Sequence, residues 1–157
     1  MSAWEFKLFA DYFQFYLQDE PADGDLSDSW FPEAVDRMLA IAPGTIGVMT
    51  ARDADVPVVI ELCSLPPVDD FDGWDQINEC SIEIKSGKMV VAGCTEFFPD
   101  AARIDINPGH YRVRIYYAGL DQLSKDGLDG EDRYRIALWL AAPDDVAILK
   151  HRGIQNP

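Results

Sequence analysis

The first 84 residues hold very little positive charge. Lys7, Arg37 and Arg52 stand there against 18 Asp and Glu. Residues 85–157 hold 10 of each sign, so the whole net charge of −15 arises in the first half. Between Asp53 and Ile84 there are nine acids and no Lys or Arg. A surface of one sign on this scale repels nucleic acid and anionic membranes, and direct binding to either is not expected. It attracts basic proteins and speeds their capture. Plain solubility is the simpler reading of the same acidity.

Histidine is scarce, with only His110 and His151. Nucleophilic catalysis needs a base beside the nucleophile, and there is neither a GxSxG elbow nor an HExxH pair. A dyad of Cys63 or Cys94 with His110 has no motif behind it. Cysteine is scarce too: Cys63, Cys80 and Cys94 are odd in number, form no CxxC pair and sit in strand-like segments. They read as buried, reduced thiols, not as zinc ligands. Pro43-Gly44-Thr45-Ile46-Gly47 lacks the lysine of a phosphate-binding loop.

The Asp-rich loops raise calcium. An EF-hand register fails at both glycines: Gly24 at position 6 puts Pro21 at 3 and Trp30 at 12, and Gly73 puts Val68 at 1. A looser calcium- or ligand-binding site would require Asp69, Asp70 and Asp72 to meet Asp126 and Asp129 at one end of a sandwich. Paired carboxylates for glycoside hydrolysis cannot be picked out, because acids are too abundant for any pair to stand apart. The sequence therefore predicts no cofactor, no catalytic residue and no enzyme.

Long apolar runs are also missing. Val56-Pro57-Val58-Val59-Ile60 falls far short of the ~20 residues that span a bilayer. Met1 to Lys7 lacks a basic region followed by an apolar stretch, so the expected compartment is the cytoplasm.

Core material is plentiful. Of 157 residues 48% are hydrophobic, with 8 Phe, 6 Tyr and 4 Trp, which argues against disorder despite the charge. The length suits one domain, 1–157. Trp4 to Phe9 alternates apolar with charged, and Asp11 to Leu17 continues it, which predicts two strands or one long bent strand. Asp28 or Ser29 as a cap, Pro32 in the first turn and Glu33 near the positive end start a helix near residues 29–42, and Pro43-Gly44 stops it. Phe31, Val35, Met38 and Ala42 would form its apolar face. Strands follow over 45–51 and 56–63, then a long acidic loop from Pro66 to Asp75. Hairpins are predicted about Ser86-Gly87 and about Asn107-Pro108-Gly109, and a last strong strand over 134–141. The tail from 143 to 157 carries weak signals and reads as loose at its end. Many short strands with close turns predict an antiparallel β-sandwich with one short α-helix.

Arg112 and Arg114 share one strand face, and Arg133 and Arg135 share another. If those strands pair, four guanidiniums line one patch. The bland expectation is cross-strand pairing with acids such as Asp105 or Glu131. The functional one is a docking face for an acidic segment, including that of a second copy, which leaves a homo-oligomer open.

The order of these features is similar to a known family. Asp11-Tyr12-Phe13-Gln14-Phe15 leads to Trp30-Phe31-Pro32-Glu33-Ala34, then Gly44-Thr45-Ile46-Gly47-Val48, and late in the chain Pro108-Gly109-His110-Tyr111-Arg112-Val113. This resembles the small bacterial proteins of the competence protein J type, whose known member inhibits a DNA-entry nuclease. The likeness spans most of the chain in short, scattered matches, and the Pro66–Asp75 loop and the tail are longer here. The resemblance implies a non-catalytic inhibitor or immunity-type protein that blocks a basic partner, a nuclease or toxin. An acidic protein can fill a basic phosphate cleft as a nucleic-acid mimic. The residues expected to touch that partner are Asp69, Asp70, Asp72, Trp74 and Asp75, charges gathered about one loop aromatic.

Overall fold

The computed structural model describes residues 2–153. Among these, eleven strands form two facing sheets: β1 (Ser2–Phe9), β2 (Gln14–Asp19), β3 (Leu39–Ala42), β4 (Thr45–Met49), β5 (Asp55–Leu62), β6 (Gln76–Ile84), β7 (Lys88–Gly93), β8 (Ala102–Asp105), β9 (Gly109–Ala118), β10 (Arg133–Leu140) and β11 (Ala147–Lys150). One sheet has the order β1-β5-β10-β9-β6-β11 and the other β3-β4-β2-β7-β8. All pairings are antiparallel except that of β5 with β10. The expected β-sandwich is the observed architecture. No helix of the described residues is long and apolar enough to cross a membrane.

The core follows from strand periodicity, in which alternate residues face opposite sides of a sheet. Val113, Ile115 and Tyr117 of β9, with Tyr134, Ile136 and Leu138 of β10, point inward. They meet Phe15 and Leu17 of β2 and Met89 and Val91 of β7 in one buried cluster. The Tyr134 ring stands edge-on to Phe15 and to Tyr117, each at 5.9 Å between centroids, a favoured aromatic geometry that ties the sheets together.

The predicted helix over 29–42 shortens to α1 (Pro32–Arg37). Met38 adopts a left-handed conformation at φ 65° and returns its amide to the carbonyls of Ala34 and Val35, which ends the helix. Leu39-Ala40-Ile41-Ala42 then pairs with β4, so Pro43-Gly44 turns a hairpin rather than stopping a helix. The expected apolar face is not a core face either: Phe31 and Val35 are exposed, while Ala34 and Met38 are buried. The last carbonyls of α1 are satisfied from elsewhere. Asn78 Nδ2 donates to Arg37 O (2.7 Å), Tyr117 Oη to Met38 O (2.7 Å) and Arg152 Nη1 to Asp36 O (2.6 Å). The fold thus replaces helix propagation with buried polar partners, which a local pattern does not reveal.

Neither predicted turn at Ser86-Gly87 nor that at Asn107-Pro108-Gly109 closes a hairpin. Each carries the chain from one sheet to the other: β6 pairs with β9 and β11, and β7 with β2 and β8. Turn residues mark where the chain bends; the strand's partner depends on which face is apolar. The two bends lie together, with Ile106 N donating to Gly87 O at 3.0 Å. Asp19 clasps the first: its carboxylate accepts from Lys85 N (2.9 Å), Ser86 N (3.1 Å) and Ser86 Oγ (2.6 Å). The aromatic start likewise splits between sheets, β1 on one and β2 on the other, with a 3-10 turn over Asp11–Phe13 between them. The crossing from β4 to β5 is held by a buried pair, Arg52 Nε to Asp132 Oδ1 at 2.6 Å. Tyr134 Oη donates to the other Asp132 oxygen and accepts from Ala51 N, both at 2.7 Å.

The tail expected to be loose contains β11, which pairs with β6 from Ala147 to Lys150. Beyond it Arg152 N donates to Gln76 Oε1 at 3.0 Å. The remainder of the expected loose end, residues 154–157, lies outside the described residues.

Candidate binding surface

The loop over residues 63–75 lies across the outer face of the six-stranded sheet. That face is built by the alternate residues that do not enter the core: Ile77 and Glu79 of β6, Arg112, Arg114 and Tyr116 of β9, and Arg133, Arg135, Ala137 and Trp139 of β10. Ile77, Tyr116, Ala137 and Trp139 form a second small buried cluster, and Phe71 and Trp74 of the loop pack on it. The loop is therefore anchored by aromatic burial and not left to wave in solvent.

The four arginines do share one face, as β9 and β10 pair in register. Their partners are not the expected Asp105 and Glu131. Glu79 bridges two of them, at 3.1 Å from Arg112 Nε and 2.7 Å from Arg114 Nε. Glu61 pairs with Arg135. Arg112 also donates to the Asp144 and Asp145 carbonyls at 3.0 and 2.9 Å. Asp105 instead pairs with Lys88. Aromatic faces complete the layer: Arg133 lies 4.3 Å from the Trp74 centroid, Arg135 4.5 Å from Tyr116, and Arg114 5.7 and 5.6 Å from Phe71 and Trp139. Guanidinium planes favour such stacking. Burial alone would loosen the proton of the Arg114 guanidinium, but the hydrogen bonds it donates to Tyr116 and Glu79 outweigh this and hold it still more firmly protonated.

Each residue expected to contact a partner can now be placed. Asp69, Asp70 and Asp72 are exposed. Asp69 Oδ1 lies 3.2 Å from Arg114 Nη2. Asp70 turns inward along the chain to accept from Asp72 N at 3.3 Å. Trp74 is half-buried between Arg133 and Tyr116, its centroid 5.1 Å from that of Tyr116. Asp75 is half-buried and accepts from Leu120 N at 3.0 Å. The acidic segment that the arginine face could have taken from another molecule is supplied in part by the chain itself.

A groove beside the acidic loop about Gly24 escaped sequence reasoning. The loop over 20–31 crosses the outer face of the five-stranded sheet, with Leu26 buried against it. Gly47 makes the seat: a Cβ there would stand 2.6 Å from Leu26 Cδ1 and 3.0 Å from Trp30 Cζ2. Between this loop and the end of β6 lies an open groove of about 660 Å³, lined by Asp19, Asp23, Asp25, Glu83, Lys85 and His110 among others. His110 Nε2 and Lys85 Nζ approach Glu83 at 3.7 and 3.9 Å, while among the described residues Asp23 and Asp25 form no ion pair. The Ser27 hydroxyl and amide hold the Asp25 carboxyl below the usual range. Burial raises the Asp19 carboxyl, but the Ser86 hydroxyl and the amides of Lys85, Ser86 and Glu20 more than offset it, leaving it lowered. The groove is formed by segments far apart in sequence, so no local spacing announces it.

Among the described residues no three His, Cys, Asp or Glu side chains form a group that could hold a metal ion. Cys80 is fully buried and burial pushes its thiol up to about 12, away from the reactive thiolate. Burial and the nearby Glu61 also raise Cys63. Cys94 lies 3.3 Å from Tyr16 Oη, His110 Nε2 lies 3.7 Å from Glu83, and among the described residues no hydrogen bond joins His110 to Cys63 or Cys94.

No family model matches the chain, and no curated protein matches it. Two solved structures share its fold. One is the crystal structure of ComJ, inhibitor of the DNA degrading activity of NucA, from Bacillus subtilis. It has a TM-score of 0.65 and 16% identity over 90% of this chain and 96% of that one. The other is described as Crocagin biosynthetic gene J, with a TM-score of 0.63 and 22% identity over 90% of this chain and 100% of that one. The chain therefore has a ComJ-like fold, as the sequence resemblance suggested.

Proposed function

We propose that this chain is a non-catalytic, cytoplasmic acidic binding protein of the inhibitor or immunity type, blocking a basic protein such as a nuclease. The observation that carries this reading is the distribution of charge. More than half of the lysines and arginines are already paired with carboxylates of the same chain. Most acids of the two covering loops face solvent: Glu20 and Asp69 engage arginines, while among the described residues Asp23, Asp25, Asp70 and Asp72 pair with no cation. Such a surface steers a basic partner and can occupy a cleft shaped for phosphates. The shared fold with an inhibitor of a DNA-degrading activity supports the same reading. The contact would be made by Asp69, Asp70, Asp72, Trp74 and Asp75, extended by Asp23 and Asp25 beside the groove.

The test is inhibition with purified components. The protein is titrated into DNA digestion by a panel of basic nucleases that includes NucA, at 50 and 500 mM salt. The expected result is dose-dependent protection of DNA by at least one nuclease, weakening at high salt. Undiminished digestion by every nuclease, together with no salt-sensitive binding to any of them, would falsify the reading.

A further inference from the structure

The segment between β1 and β2 is strained. Tyr12 and Phe13 are consecutive aromatic residues with positive φ, 56° and 62°. Bulky side chains rarely adopt this region, so each such residue is strained. The surroundings over-determine it. Ala10 is fully buried and its amide donates to Ala54 O at 2.9 Å. Phe13 N returns to Ala10 O at 3.0 Å, and Thr50 N donates to Phe13 O at 2.9 Å. The strand end at Gly93 approaches so closely that a Cβ there would stand 2.2 Å from Phe9 O. Thr95 Oγ1 donates to Asp11 Oδ2 at 2.8 Å, which joins this turn to the loop after β7.

These restraints fix the chain where it passes from β1 to β2, with Ala10 in the core and its aromatic neighbours outside it. They hold aromatic side chains outward: Phe9 is 51% exposed, Tyr12 66%, Phe13 46%, and Phe97 on the adjoining loop 70%. Large apolar side chains exposed to water are costly to the free molecule and are the kind of residue that dominates binding energy. Rigidity also removes most of the ordering cost on association.

The chemistry of the occupant follows from what the molecule does with its other exposed aromatics. Phe31 carries Arg37 at 5.4 Å, and Phe98 carries Arg103 at 5.0 Å. Among the described residues no guanidinium of the chain covers Phe9, Tyr12, Phe13 or Phe97. Asp11 and Glu96 lie among them: Asp11 accepts from Tyr12 N and Thr95 Oγ1 and Glu96 from Gly93 N, and among the described residues neither pairs with a lysine or arginine. Aromatic faces with an acidic rim select guanidinium groups: the ring takes the flat cation and the carboxylate takes its N–H donors.

We propose that this end of the sandwich, formed by residues 9–13 and 95–98, is a docking surface for an arginine-rich face of a basic protein. The proposal rests on the acidic-binder reading above and adds a surface and a side-chain preference to it. It separates two contributions: the covering loops supply charge, and this aromatic end supplies discrimination of arginine from lysine.

Calorimetry with a nona-arginine and a nona-lysine peptide tests it. The unaltered protein is expected to bind the arginine peptide about 5-fold more tightly than the lysine one, as guanidinium stacking implies. A Tyr12→Asn/Phe97→Ser variant should bring that ratio to about 1; asparagine tolerates the left-handed backbone, which protects the fold. An Asp70→Asn/Asp72→Asn variant should weaken both peptides equally and keep the ratio. In the unaltered protein, amide shifts on adding the arginine peptide should centre on residues 9–13 and 95–98, a readout that needs no variant. If both peptides bind and neither the ratio nor the shift map involves these residues, the aromatic surface is refuted while the acidic-binder reading stands. If neither peptide binds, both fall together.

Discussion

The loops over 20–31 and 63–75 are alike in composition and unlike in place. Each is acidic, each carries one tryptophan, and each covers the outer face of one sheet. Beneath 63–75 the sheet presents Arg112, Arg114, Arg133 and Arg135, so the loop rests on a cationic and aromatic layer. Beneath 20–31 it presents Gly47, Tyr16 and Gln18, and the loop is held by Leu26 and by Gln18 Nε2 donating to Ala22 O at 2.6 Å. Its cation lies at the foot, where Arg103 pairs with Glu20 at 2.7 Å. Equal acidity therefore yields unequal fields. Asp69 is partly neutralised from below, while Asp23 and Asp25 are not. A count of acids along the chain places the charge correctly in the first half but does not say which carboxylates remain free to meet a partner.

The sharpest way to break this contrast is to remove the ionic support under one loop. Glu79→Ala leaves Arg112 and Arg114 largely buried without their shared carboxylate. It should cost about 3–5 kcal/mol in denaturant unfolding. The same experiment on the other loop uses an apolar truncation. Leu26→Ala should cost about 3 kcal/mol and be insensitive to salt, because the lost term is burial over Gly47.

The foot of the 20–31 loop responds to pH. The Asp19 carboxyl is lowered in the folded state, so its contribution is present above the ordinary carboxylate value of about 3.9 and fades as pH falls through the folded value. Asp19→Asn should therefore lose about 1–3 kcal/mol at pH 7, and the gap to the unaltered protein should close on acidification below about pH 4. The smallest effect belongs to Asp69→Asn, whose carboxylate is exposed over Arg114. It should change stability by less than about 1 kcal/mol. Hydrogen exchange should show the 63–75 loop loosening with salt in the unaltered protein and not in this variant, while 20–31 stays unmoved in both.

Several elements were legible without coordinates. The alternation in Trp4–Phe9 and the strand pattern from Tyr134 onward gave strands where strands stand, because a period of two needs only neighbours to express itself. Pro32 and Glu33 marked the helix start. Its end was not legible: Met38 stops it with a left-handed turn, and the partners that accept or donate there come from β6, β9 and the tail. The arginine face was visible as a possibility of strand pairing. Its true partners, Glu79 and Glu61, lie more than 30 residues away and share no local pattern with it.

Composition and order along the chain determined the polarity of charge, the β character and the shortage of groups for catalysis, since each depends on which residues are present and on their immediate spacing. Tertiary structure alone decided the rest. It sent β6 and β7 to opposite sheets, laid one acidic loop on arginines and the other on a glycine, and held four aromatics outward at one end. These outcomes depend on which faces meet across the sandwich, and a contact between distant segments is a property of packing rather than of any single stretch of sequence.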